Sequence, residues 1–460
     1  MKNILPKTIE DLKNTEYSSR NVKNEIRENL VRKLSAGEDL FPGVHGFNET
    51  VIPQIETAVL SGQDMILLGE RGQAKSRIIR ELVNLLDPQI PIIENCDIND
   101  DPLKPICKSC KDQLKNNGDK TPITWLKKED RFSEKLATPD VSVSDMIGDI
   151  DPIKITEGRY LGDELAIHYG MIPRANRKIF CINEIPDLTE RIQVSLFNIM
   201  QERDVQIKGY QVRLPLDIFL VATANPEDYT NRGRIITPLK DRYGAQIRTH
   251  YPETVDDELK IVLQEYKKFT DSEKNVSIPD FMAQIVGEIT YLARNSPEIN
   301  QRSGVSLRVT IANYESLISA AFKRSIRSGT ITHSKVSDLQ ELIPSTVGKI
   351  EVETVEENQE IRIIKELIDR ATLNVFSRIY SIDDFENSIK AFDHGASVTV
   401  GASVKRPELL ESCSEIPGLI EICRNSLNTS EDEALESALE FALEGLHLSG
   451  KIGKLNNIYS

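Results

Sequence analysis

The sequence predicts an α/β domain with a mainly parallel sheet, followed by helical regions. Three observations lead there. Between about Leu40 and Pro252, short apolar strands alternate with helical patterns. In MILLGERGQAKSRIIREL, a glycine-bearing turn joins a strand to a helix. From Asp256 onward the strand signals fade, and stretches such as ELKIVLQEYKKF and SLRVTIANYESLISAAFKRS space their apolar residues at helical period.

Taken in order, residues 1–35 read as a polar, partly helical lead-in. The opening MKNILPKTIEDLKNTEYSSR interrupts its apolar residues with charges and Pro6, so it lacks a signal-peptide core and a cytoplasmic location is expected. No apolar run in the chain is long enough to span a bilayer. The 460 residues leave room for two to four domains. At 39% hydrophobic and 28% charged, the composition is that of an ordinary soluble protein. A net charge of −15 argues against broad nucleic-acid binding, which needs many Lys and Arg against phosphates. Six cysteines in a chain of this size are not a disulfide framework.

Met65 to Leu68 forms the strand of the first motif, and Gly69-Glu70-Arg71-Gly72-Gln73-Ala74-Lys75-Ser76 follows. Phosphates need backbone N–H groups aimed inward at a helix start, and glycine-rich turns allow that approach. Lys75 is placed to reach terminal phosphates and Ser76 to ligate Mg²⁺. Ala74 stands where Gly usually precedes the lysine. The extra methyl is tolerable provided its φ is negative at the start of the helix, which is the expectation.

KIFCINEIPD, residues 178–187, reads as a buried strand ending in Asn183-Glu184. In phosphoryl-transfer ATPases an Asp at the first position holds Mg²⁺ or its waters, and a Glu orients the attacking water. Asn183 keeps a carbonyl oxygen and loses the charge. Restoring Asp at 183 is therefore expected to sharpen Mg²⁺ dependence and to preserve or speed hydrolysis. DIFLVATANPEDY supplies another apolar strand, ending in Thr223-Ala224-Asn225, where a polar side chain can lie beside the acid strand. RGRIITPLKDRYGAQI then offers Arg242 as a cation for a neighbouring site.

The last helix begins at SEDE, where Ser430 and Glu433 have capping-box spacing. Leu435, Leu439, Ala442, Leu443 and Leu446 make one apolar stripe, and the acids between them read as its solvated face. In NCDINDDPLKPICKSCKDQ, Cys96, Cys107 and Cys110 offer three zinc ligands. A fourth is not evident, and His168 or Cys181 would reach them only through the fold. Reduced thiols are therefore the expected state, with structural zinc the lesser alternative.

GERGQAKS, IFCINEIPDL, VATANPEDY and PLKDRYGAQI together resemble the AAA+ ATPases, and within them the magnesium chelatase I-subunit and MoxR-like group. The resemblance covers about residues 36–350, most strongly 60–250. It implies a P-loop AAA+ three-layer αβα domain over 36–255, carrying the cysteine insertion at about 95–135 and a pre-sensor hairpin at about 203–216. A helical lid at 256–345 and an additional C-terminal helical region at 346–460 follow. The segments LATPDVSVSDMIGDIDP and GRYLGDELAIHYGMIPRANRK resemble the group's insertion before the acid strand.

The resemblance further implies a hexameric ring that binds ATP and Mg²⁺ between subunits. Gly69, Glu70, Arg71, Gly72, Gln73, Ala74, Lys75 and Ser76 would hold the phosphates, with Ser76 and Asn183 serving Mg²⁺ through ATP and water. Glu184 is the catalytic acid-strand residue, Asn225 the sensor and Arg242 the finger from the next subunit. Arg308 is the second sensor, with Arg302 the runner-up. His45, in FPGVHGF, falls where the family lines the adenine pocket and is expected to pack rather than react. The implied function is an ATP-hydrolysing ring that remodels a protein client or assists metal-cofactor assembly, working with a von Willebrand A-domain partner. The alternatives are a magnesium chelatase motor subunit and a non-hydrolysing nucleotide-gated scaffold. A sigma-factor activator is a weaker reading, since a GAFTGA-type loop is absent and no terminal helix-turn-helix is evident.

Overall fold

The computed structural model describes residues 5–156, 163–202, 214–225, 234–301, 303–329, 331–352, 359–401, 404, 406–427 and 432–460. Most of the hairpin expected at about 203–216, the runner-up Arg302 and the capping box at Ser430 and Glu433 lie outside the described residues or side chains. The chain divides into two compact units, Met1–His250 and Tyr251–Ser460.

The first unit is built on five parallel strands: β1 (Met65–Leu68), β2 (Phe132–Leu136), β3 (Lys178–Asn183), β4 (Ile218–Ala224) and β5 (Ala245–Arg248). Their order is β2-β3-β4-β1-β5. Parallel strands need both faces covered, and alternate side chains supply both. Met65 and Leu67 of β1, Ile179 and Cys181 of β3, and Phe219 and Val221 of β4 enter one apolar cluster. Ile66, Phe180, Ile182, Leu220 and Ala222 enter the other.

Helices α1 (Val22–Ala36), α2 (Val51–Leu60) and α3 (Lys75–Glu81) cover the first face. Helix α4 (Lys108–Asn117) lies in the cysteine insertion, and α5 (Glu190–Glu202) covers the second face through Ile192 and Leu196. A short helix, α6 (Thr237–Arg242), precedes β5. The lead-in thus contributes α1 to the core of the unit. Asn21 caps this helix, accepting the Asn24 N–H at 2.8 Å. Glu25, 3% exposed, takes Arg131 in a two-pronged pair at 2.6 and 2.7 Å.

Two antiparallel ribbons stand outside the main sheet. Gln89–Ile93 pairs with Ile123–Lys127 in the cysteine insertion. Gly148–Ile150 pairs with Ile167–Tyr169 in the insertion before the acid strand.

The second unit is helical: α7 (Val255–Glu265), α8 (Asp280–Arg294), α9 (Leu307–Ser328), α10 (Gln359–Ile379) and α11 (Asp432–Leu448) are its longer elements. One core cluster runs from Val262 to Tyr459 and spans residue 346 without a break. Two-residue strands add a small parallel pair and a three-stranded antiparallel sheet, too short to leave a periodic signal in the sequence.

The apolar stripe of α11 is buried as expected, but its acids are not a solvated face. Glu436, Glu440 and Glu444 are 8%, 1% and 7% exposed. Lys335 bridges Glu436 and Glu440, and Glu444 takes Lys454 and the Tyr459 hydroxyl. Buried carboxylates persist only with such partners, and these partners come from distant sequence.

Candidate functional site

The loop Gly69–Ser76 leaves β1 and enters α3, so a buried strand and a helix start fix its two ends. Gly69 has no room for a side chain, because a Cβ there would overlap Thr249 Oγ1 and Gln73 Oε1. Its N–H donates to Ala224 O of β4 at 3.1 Å. Gln73 braces the loop from inside: its Oε1 accepts from the Glu70 N–H at 3.1 Å and from the Thr249 hydroxyl at 2.8 Å.

Gly72 turns at φ +80°, a conformation open to glycine. Ala74 follows at φ 54°, ψ 12°, which corrects the expectation of a negative φ. The carbonyl of Ala74 must aim along α3 to accept the Ile78 N–H at 3.0 Å, while the chain before it bends back through the loop. A left-handed alanine costs about 1–2 kcal/mol, so strain is stored where the phosphate loop meets its helix.

Lys75 is 7% exposed, and its ammonium donates to the carbonyl oxygens of Gly69 and Glu70, the latter at 2.7 Å. These neutral acceptors hold the lysine across the loop, and charged phosphate oxygens make stronger ones. Ser76 sits beside it in the first turn of α3, half-buried, and Arg71 is exposed. A cleft of about 490 Å³ opens here, lined by Gly69, Glu70, Gln73, Arg248 and Thr249. The turn with no room for a Cβ at Gly69, the lysine held across it and the serine beside it fit a nucleotide phosphate with its Mg²⁺.

The ends of β1, β3 and β4 are adjacent, which brings three sequence motifs to one edge of the sheet. Thr223 joins two of them. Its Oγ1 accepts the Glu184 N–H at 3.0 Å and donates to Asn183 Oδ1 at 3.3 Å. Glu184 itself is left-handed, φ 55° and ψ 50°. Asn225 is 1% exposed and follows the residue whose carbonyl holds Gly69.

Glu134 carries no signal in the sequence pattern. It lies on β2, paired in register with Cys181, and its Oε1 takes the Asn183 side-chain N–H. Its Oε2 takes Arg80 Nε at 3.0 Å and Nη2 at 2.9 Å. The charge that Asn183 lacks is therefore present one strand away, held by an arginine from α3.

Arg242 closes α6 on the surface. Its guanidinium meets Asp241 and Gln201 Oε1, each at 3.0 Å, and lies 5.1 Å from the Phe197 ring centre. Arg308 is exposed in the first turn of α9, in the second unit. Among the cysteines, Cys181 belongs to the opposite face of the sheet from Cys107 and Cys110, and His168 is exposed on its ribbon, so neither joins them. Asp100 does.

Residues 155–239 match the Sigma-54 interaction domain family. Over 226 residues the chain is 29% identical to a magnesium-chelatase subunit ChlI homolog from Methanocaldococcus jannaschii, covering 46% of this chain and 57% of that protein. It is 28% identical to the magnesium-chelatase subunit ChlI of Mesostigma viride, covering 46% and 56%. These matches relate the chain to the magnesium-chelatase I subunits, in keeping with its AAA+ α/β fold.

This AAA+ chain spans a little over half the length of those two relatives. Among solved structures, a chain of the complex between subunits BchI and BchD of magnesium chelatase matches at TM-score 0.37 and 19% identity, over 72% of this chain and 98% of that one. ATP and Mg²⁺ are the ligands that the AAA+ family implies. Among the described residues no helix is long and apolar enough to cross a membrane.

The Glu134 contact reverses the expectation for Asn183→Asp. Two carboxylates would then meet where an amide N–H now donates to one. At an effective dielectric near 20, unit charges about 4 Å apart repel by about 4 kcal/mol. We expect Asn183→Asp to lower the urea midpoint by an amount worth about 1–3 kcal/mol and to slow ATP turnover. Glu134→Gln in the same chain restores both. A single variant as stable and as fast as wild type would show that Glu134 does not set the residue at 183.

Proposed function

We propose that this chain binds ATP with Mg²⁺ at Gly69–Ser76 and hydrolyses it within a ring of like subunits, using the cycle to remodel a partner protein or to assist metal-cofactor assembly. The observation that carries this reading is the meeting of the phosphate loop, Glu184 and Asn225 at one sheet edge, knit by Thr223 and by the Gly69–Ala224 hydrogen bond. Mg·ATP supplies the phosphoanhydride and the metal that neutralises its charge.

The chain's own residues divide the remaining work. Lys75 and the loop N–H groups hold the phosphates, and Ser76 offers its hydroxyl to the metal. Asn183 gives an amide oxygen nearby, while its side-chain N–H holds the Glu134 carboxylate. Glu184 orients the attacking water. Asn225 senses the terminal phosphate from the end of β4. Arg242, on the surface of its own subunit, serves the site of the next, and Arg308 is the second sensor arginine. A cleft of about 310 Å³ lined by Phe41, Val44, His45, Asn48 and Ile52 suits the adenine end, with His45 as a packing residue.

The names of the curated relatives favour a second reading, a magnesium chelatase motor subunit. The cysteine insertion and the extra C-terminal helices favour a different client, reached through a von Willebrand A-domain partner. A protein captured by a Glu184→Gln chain held with ATP would separate the two: a porphyrin-binding subunit supports the chelatase reading, an A-domain protein the first.

Lys75→Ala should remove nucleotide binding, measured by calorimetry at saturating Mg²⁺. Unchanged affinity would mean that the loop does not hold the phosphates. Binding without any turnover in wild type would leave the third reading, a nucleotide-gated scaffold.

A further inference from the structure

The segment after the Gln89–Ile93 strand turns sharply twice. Asn95 and Asn99 are both left-handed, at φ 59° and 56°, and they fold Cys96 and Asp100 back toward the start of α4. There Cys107 is the N-cap and Cys110 lies in the first turn. The three sulfurs and a carboxylate oxygen of Asp100 all lie within 4.8 Å of one another. Cys107, Cys110 and Asp100 are 4%, 0% and 1% exposed, and Cys96 is half-buried.

The surroundings are those of anions. Cys96 Sγ accepts the Asp100 N–H at 3.3 Å, and Cys107 Sγ accepts the Cys110 N–H at 3.4 Å. A ten-residue helix adds its positive end to these donors. Asp100 Oδ2 accepts the N–H groups of Ile106 and Cys107 at 3.0 and 2.9 Å. Asp100 Oδ1 is buried with no hydrogen-bond partner. A buried carboxylate oxygen without a donor is costly, and thiols are poor donors to satisfy it. A cation beside the three sulfurs satisfies it directly.

The number and type of donors narrow the choice of ion. Three soft sulfurs and one carboxylate make a four-ligand closed set, which suits zinc and leaves no position for a substrate. A tetrahedral site with Zn–S near 2.3 Å has ligand atoms about 3.8 Å apart, so a cluster this tight holds one ion.

We propose that Cys96, Asp100, Cys107 and Cys110 bind one structural Zn²⁺. The ion pins the cysteine insertion to the two elements that lead to the acid strand. Lys108, next to Cys107, donates its N–H to Glu164 Oε1 and its ammonium to Asp163 Oδ1, both at 2.7 Å. Tyr169 of the second ribbon donates to the same Glu164 oxygen at 3.0 Å. Asn99 donates to Arg174 O at 2.8 Å, and Asn176 donates back to Ile98 O at 2.9 Å, just before β3. The zinc therefore fixes the base of the ribbon and the entry to Lys178–Asn183 without joining the ATP chemistry.

The full chain, purified under reducing conditions and without nucleotide, is dialysed against a mild chelator, and its zinc is measured by mass spectrometry. Metal-free protein is then titrated with Co²⁺. Wild type should retain one zinc per chain. Its Co²⁺ form should show thiolate charge transfer and the intense visible bands of a tetrahedral ion. Cys107→Ser with Cys110→Ser should lose both signals. Asp100→Asn should keep the charge transfer and weaken Zn²⁺ by about tenfold or more. A wild-type chain that holds no zinc and gives no Co²⁺ bands overturns the proposal. So does a disulfide among these cysteines in the reduced protein, zinc that survives the double serine variant, or Zn²⁺ affinity unchanged in Asp100→Asn.

Discussion

Arg242→Ala is expected to leave ATP binding intact and to lower turnover by roughly 10³–10⁵-fold, the range that trans-acting arginines contribute in GTPases. The guanidinium is held ready on the surface rather than buried under its own loop. Asp241, Gln201 and the Phe197 ring position it at the end of α6. A fixed cation loses little freedom when it meets developing charge on a neighbour. Mixing decides whether it acts across subunits. Arg242→Ala chains keep an intact loop, and Lys75→Ala chains keep an intact arginine. Together they should recover activity that neither has alone. A mixture as inactive as its components would place the arginine in its own subunit's site or in none.

Lys335→Met is expected to cost about 3–5 kcal/mol of stability, the usual penalty for stripping one partner from a buried ion pair. Lys335 is 3% exposed and faces Glu436 together with Glu440, the latter at 3.5 Å. Among the described residues, the donors that remain for Glu440 are the N–H groups of Ser337 and Gly401, both at 3.4 Å. Removing the ammonium leaves Glu436 with Arg406 at 3.5 Å and takes from buried Glu440 the lysine that faced it. Adding Glu436→Gln and Glu440→Gln should recover most of the loss, because the residues act as one network. Urea unfolding of the full chain followed through the second unit reads both. A Lys335→Met loss below about 1 kcal/mol would show that these acids reach solvent.

How much of this was legible follows from where each signal lies. The Met65–Leu68 strand, the loop and α3 are consecutive, so local pattern revealed them. The parallel sheet was legible from strand–helix alternation, since its central strands β1, β3 and β4 are apolar on both faces. Glu134 was not, because it is one polar residue in a short strand and matters only through a register with Cys181. Asp100 was hidden among other acids in NCDINDD, where nothing local marks the one that turns inward. Glu436, Glu440 and Glu444 recur every fourth residue, a row on one helix side. Such rows are usually solvated, and partners from distant sequence, among them Lys335, Arg406, Lys454 and Tyr459, let this one be buried. Ala74 shows the limit of residue type alone: composition suggested an ordinary helix start, and the backbone is left-handed.

We propose that the site at the ends of β1, β3 and β4 hydrolyses ATP with Glu184 orienting water. The most direct measurement is steady-state ATP hydrolysis over a range of protein concentrations, for wild type and Glu184→Gln, with binding of Mg·ATP verified in both. The expected result is wild-type turnover per chain that rises with concentration and exceeds Glu184→Gln by roughly 10²–10⁴-fold. Wild-type turnover no faster than that of Glu184→Gln, with ATP bound to both, would rule out Glu184-driven hydrolysis at this site.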